Sequence, residues 1–220
     1  MIKKEIRIPE SINDIKLSQW QKFTSIVEED AEEEFANRKA LEIFYDIDGK
    51  HYNGLKISDI EKIIGELNNA LNQKITLIRR FELDGIEYGF IPDFDDITFG
   101  EFVDMDKYNN TKDYHKLMSI LYRPIASSYK DTYKVREYEG SNEKLREMPL
   151  GVALSAANFF FTIGLQLTIN ILKSLTPKDR EQKVKQDLAI NGLGILLSTP
   201  YRMETFSNSD LSQILKQIRL

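Results

Sequence analysis

Carboxylates are the most abundant groups in this chain that could do chemistry, and they gather in two places. Asp93, Asp95, Asp96, Glu101, Asp104 and Asp106 fall within fourteen residues, and Glu28–Glu34 reads EEDAEEE, interrupted only by Ala31. Hard oxygen ligands at such density could hold a divalent cation, and a carboxylate pair could serve as acid and base. Against the first cluster stands the lack of a histidine nearby in sequence and the preference of acids for the first turn of a helix. Against the second stands mutual repulsion, so a solvated helix face or loop is expected there. Asp46-x-Asp48-Gly49 opens like a calcium loop but lacks its twelve-residue spacing and terminal Glu. Any triad or histidine–metal centre would have to use His51 or His115, and neither lies in a motif. There is no phosphate-cradling glycine loop, dinucleotide fingerprint, nucleophile elbow or H-E-x-x-H. No cysteine is present to form a disulfide, a thiolate zinc site or a thiol nucleophile. The expectation is a non-enzymatic chain with no catalytic, cofactor-binding or metal residues.

The elements come next. The 220 residues are 41% hydrophobic and 30% charged, ordinary proportions for a globular protein, and a net charge of −5 disfavours general attachment to nucleic acid. The start, MIKKEIRIPESIND, has no apolar core and does not read as a secretory signal. The expected organiser is Met148–Leu172, 25 residues without a charge. At helical spacing Ser155, Asn158, Thr162, Gln166, Asn170 and Lys173 make one narrow polar seam on an otherwise apolar helix. That pattern fits a packed helix at about 148–174 better than a membrane span, with a seam that reaches solvent or pairs with another chain.

Before it, Pro9 closes a short strand at residues 2–8. Leu17, Trp20, Phe23 and Val27 mark a helix capped at Ser18, with Trp20 packing it onto the domain. Asn37–Asp46 reads as a helix stopped by Ile47-Asp48-Gly49, preferred over a hairpin through Asp48-Gly49. Ser58 and Glu61 form a capping box for a helix with Ile60, Ile63, Ile64, Leu67 and Leu71 inward, and Thr98 and Glu101 form another for a helix packed through Phe99, Phe102, Val103 and the Tyr108 region. Between them Asp84-Gly85 joins two β-rich runs into a type I′ hairpin at about 75–91, which must find partners to be stable. Tyr114, Leu117, Met118 and Leu121 mark a helix over Lys112–Ile125, ended by Pro124, with His115 beside its apolar face. Tyr129–Glu139 reads as an exposed strand or arm. A charged helix follows Thr176-Pro177, and Leu211, Ile214, Leu215 and Ile218 give an amphipathic last helix. The expected fold is α+β and mainly helical: a unit over 1–140 with the hairpin, and 141–220 with the long central helix, the two forming one continuous structural unit.

The stretches LSQWQKF, ALEIFYDI with LKISDIEKII, FELDGIEYGFIPDFDDITFGEFVDMDKY, and HKLMSILYRPI with NFFFTIGLQL resemble, in order and spacing, a group of proteins of tailed bacteriophages of Bacteroidetes hosts, including crAss-like phages. The resemblance spans roughly residues 15–172 and is carried by packing and turn motifs. It implies a part in phage morphogenesis, as a virion component or an assembly factor, and transfers no catalytic residues; the leading expectation is a non-enzymatic virion protein, a ring-forming subunit of the neck or portal–tail assembly. Its partners would be copies of itself and other neck or tail proteins, with DNA passing through but no specific nucleic-acid binding and no stable membrane insertion. The alternative it implies is a cytoplasmic tail assembly chaperone, absent from the mature virion.

Overall fold

The computed structural model describes residues 9–27, 31–73, 75–93, 97–108, 110–160 and 162. The expected strand at residues 2–8, the charged helix after Thr176 and the amphipathic last helix lie outside these residues. The fold is α+β. Helices α1 (Leu17–Ile26), α2 (Glu33–Tyr45), α3 (Gly49–Tyr52) and α4 (Ile57–Leu71) precede the hairpin β1 (Arg80–Leu83) and β2 (Ile86–Phe90). Then come α5 (Phe99–Lys107), α6 (Tyr114–Leu121), β3 (Tyr122–Tyr129) and β4 (Thr132–Val135). Helix α7 covers residues 150–160.

Leu17, Trp20, Phe23 and Val27 are all buried, as their spacing predicts, and Trp20 meets the Tyr114 ring at 6.1 Å. Ser18 is not the cap. The N-cap of α1 is Lys16, and the Ser18 hydroxyl donates to Glu147 Oε1 at 3.1 Å. Ser58 is likewise inside α4, whose N-cap is Lys56. Helix α2 starts earlier than expected and takes Glu33 and Glu34 into its first turn, where the dipole favours them. It ends as expected, with Asp46 in the left-handed region at φ 54°. Asp48 then accepts from the backbone N–H groups of Lys50 and His51 and caps α3.

Asp84 and Gly85 both have positive φ, 52° and 74°, which makes the β1–β2 turn type I′. The paired strands are shorter than 75–91. Residues 75–79 lie outside the strand, and here the polar seam of α7 finds its partners. Ser155 Oγ accepts from Ile78 N at 3.1 Å, and Asn158 Nδ2 donates to Ile75 O at 3.3 Å. The seam thus begins by satisfying this chain's own backbone rather than solvent or another chain. Gln166, Asn170 and Lys173 lie outside the described residues. Residues 150–157 are buried all round.

The hairpin's partner is β3, and the antiparallel sheet runs β1-β2-β3-β4. This corrects the single helix expected over Lys112–Ile125. Pro124 forces the preceding backbone out of the helical region, and the chain passes from Leu121 straight into the strand. Pro124 stands opposite Tyr88, but its carbonyl turns to Arg136 N at 2.9 Å, away from β2, so its missing N–H removes nothing from the β2 ladder. Gly89, on β2, lies under the Tyr133 ring of β4. The Tyr133 hydroxyl donates to Phe90 O at 2.6 Å, and the Arg80 guanidinium covers the ring at 4.6 Å.

One apolar cluster runs from Ile12 to Ala157. Leu17 N donates to Met148 O and Leu150 N to Ile15 O, so the approach to α1 is tied to the start of α7. Phe90 meets Tyr122 at 5.2 Å and Phe159 at 5.6 Å, which closes the sheet against α7.

Candidate functional site

Helix α5 is held from its inner side. Thr98 Oγ1 accepts from Glu101 N and Glu101 Oε2 accepts from Thr98 N at 2.6 Å, the reciprocal box that the sequence predicts. Glu101 is buried and also forms an ion pair with Arg123 at the root of β3. One turn on, Asp104 Oδ2 accepts from the Tyr138 hydroxyl at 2.9 Å. Burial, reinforced by that carboxylate, pushes the phenol of Tyr138 well above its ordinary range. The Tyr108 ring at the helix end takes Lys107 and Lys116 against its faces at 5.1 and 5.5 Å.

The outer side carries the correction. Phe99, Phe102 and Val103, expected to pack inward, are 82%, 64% and 46% exposed. With Asp106 they stand at i, i+3, i+4 and i+7, one continuous helical stripe. The buried face is taken instead by Glu101, with Met105 and Tyr108 half-buried. The Glu101–Arg123 pair fixes this rotation, because turning the helix over would expose the cap and strand the guanidinium.

The acids expected to be a helix start are therefore divided among separate tasks: Glu101 caps and pairs, Asp104 binds a phenol, and Asp93 and Asp106 are exposed. Asp95 and Asp96 lie outside the described residues. Among the described residues no three His, Asp or Glu side chains gather as a metal site.

The histidines go to different places. His51 is exposed, its Nδ1 2.7 Å from Asp48 Oδ1 in the α3 cap. His115 is fully buried, not beside the apolar face but inside. Gln21 Nε2 sits among the carbonyls of Thr111 and Lys112 at 2.8 and 2.9 Å, and lies 3.2 Å from His115 Nδ1. An amide nitrogen there is a donor, so Nδ1 accepts and Nε2–H donates to Glu143 Oε2 at 3.1 Å. Burial, reinforced by Arg146, pushes His115 below its ordinary range although Glu143 opposes it. The ring bridges α1, α6 and the 3-10 turn Glu143–Glu147 in neutral form.

Beside it, a polar cleft of about 320 Å³ is lined by Ser119, Arg123, Arg136, Tyr138 and Asn142 among others. Its inner groups are occupied with each other. Ser119 Oγ accepts from Asn142 N at 2.8 Å and donates to His115 O, and Asn142 Nδ2 donates to the Tyr88 hydroxyl. They hold the 136–143 connection in place. No nucleophile–base pair forms around it.

No family model, curated protein or solved structure matches this chain. Among the described residues no helix is long and apolar enough to cross a membrane. Among the described residues, Phe99, Phe102 and Val103 make an exposed apolar stripe on α5, a helix anchored on its other face. Exposed apolar stripes on anchored elements are places where proteins meet. A sequence signal for it exists in FGEFVDMDK: an acid on each side of the apolar residues leaves α5 no wholly apolar face.

Proposed function

We propose that this chain is a non-enzymatic structural subunit of a tailed-phage virion, a ring former in the neck or portal–tail assembly. The observation that carries the reading is the α5 stripe, three large apolar side chains held outward by a buried cap and ion pair. The sequence resemblance to proteins of phages of Bacteroidetes hosts supplies the setting. A ring subunit needs two different faces for heterologous contacts, and the edge strands β1 and β4 and the α5 stripe offer more than one. A net charge of −5 suits a conduit through which DNA passes without sticking. The proposal includes the long central helix of about 148–174 implied by the uncharged stretch, of which residues 150–160 and 162 are described. Its partners are copies of itself and neighbouring neck or tail proteins.

The second reading is a cytoplasmic tail assembly chaperone, for which the same stripe would hold an aggregation-prone tail protein. Mass spectrometry of gradient-purified particles of the phage that encodes the chain separates the two. Detection in particles supports the virion subunit. Abundance in infected-cell lysate with absence from particles replaces it by the chaperone.

A further inference from the structure

The β3–β4 tip is the structural opposite of the α5 stripe. Tyr129 is 74% exposed, and Lys130 lies over its ring at 5.4 Å. Lys130 holds φ at 52°, a conformation that costs a lysine side chain energy and turns it outward at the tip. Thr132 Oγ1 donates to Tyr129 O at 2.8 Å and braces the turn. The tip carries an exposed aromatic ring with two exposed cations, Lys130 and Lys134, against one acid, Asp131. The α5 stripe is an apolar surface that carries one acid, Asp106, at i+7 from Phe99; Lys107 beside it is against the Tyr108 ring, as Lys130 is against the Tyr129 ring, and stands off the stripe.

Along β3 the tip stands away from the point where α5 is anchored. Glu101 fixes α5 to Arg123 at the root of β3. Six residues of strand then carry the chain to Tyr129, about 20 Å away at ~3.3 Å per residue. Each face is exposed, and the cation Lys130 on one has the acid Asp106 on the other as its opposite charge.

We propose that the β3–β4 tip of one copy docks on the α5 stripe of the next, Tyr129 against Phe99, Phe102 and Val103, with Lys130 facing Asp106. This rests on the self-assembling reading above and names its interface. A tip-to-helix contact is heterologous, and it generates a ring where its rotation closes.

Two charge reversals test it. Lys130→Asp suits the turn, since aspartate enters the left-handed region more readily than lysine. Asp106→Lys suits the end of α5, where the dipole favours a cation. Sedimentation velocity on the full-length chain over a wide concentration range is expected to show association in the wild type. Each variant alone should need at least tenfold higher concentration to associate. An equimolar mixture should recover wild-type association, because alternating copies restore every Lys–Asp or Asp–Lys contact. Variants that each associate like the wild type would overturn the proposal and assign the stripe to another occupant, a different protein or another part of this chain. A mixture no stronger than its components would also overturn it. The copy number in particles is measured separately, so a failed interface and a failed ring reading are distinguishable.

Discussion

His115 and Gly89 are the two residues whose roles yield the sharpest single-site predictions. His115 is buried and neutral, held below its ordinary value of 6.5 by burial and Arg146. Between that value and the lowered one, the unfolded chain binds a proton that the folded chain does not. Stability is therefore full above about pH 6.5 and falls as pH drops through that window, with a slope of at most ~1.4 kcal/mol per pH unit. The carboxylates of Asp113, Glu143 and Glu147 are lowered by Lys116, Arg146 and Lys16 respectively, and so act only at more acidic pH. Urea midpoints at pH 8, 6.5 and 5.5 should show the decline, and His115→Gln should flatten it. A wild-type profile flat over that range contradicts the neutral buried ring. Gly89 has no room for a methyl group, because a Cβ would press into the Tyr133 ring and the Ile125 side chain. Gly89→Ala is expected to cost about 1–3 kcal/mol by urea denaturation. In a Tyr133→Ala background the same change should cost much less, since the pair shares one contact; equal costs in both backgrounds would remove the ring as the cause.

At the scale of elements, α5 depends on one side chain with two tasks. Glu101→Ala removes half the capping box and leaves Arg123 without its partner, at a cost of about 3 kcal/mol. Thr98→Ala loses only the cap, about 1 kcal/mol, and Asp106→Ala should stay within ~0.5 kcal/mol as an exposed change. Thermal melts that rank the three differently would refute the anchoring of α5. The capping box at Thr98 and Glu101 was legible in the sequence, yet the same signature at Ser58 and Glu61 was not a cap, because the helix had already begun at Ile57. Asp48-Gly49 and Asp84-Gly85 share a local pattern with Tyr three residues on. The first caps a helix and the second turns a hairpin, as only the second is flanked by strands able to pair. Strand β3 was hidden because apolar residues at helical spacing run up to Tyr122 with no turn signal, and its state is decided by pairing with β2, distant in sequence. The outward stripe of α5 was misread for a similar reason: hydrophobicity alone places Phe99 and Phe102 inside, whereas the Glu101–Arg123 pair sets the rotation.

For the whole molecule, the described core joins the approach to α1, the sheet and the buried start of α7 in one cluster, and leaves the α5 stripe and the β3–β4 tip at its surface. The central claim is the proposal that this chain meets copies of itself at two unlike faces. The most direct test is quantitative mass spectrometry of purified particles, normalised to the portal subunit. The account predicts a fixed copy number equal to the portal's or a simple multiple of it. Absence from particles, or a trace level that varies between preparations, would contradict it.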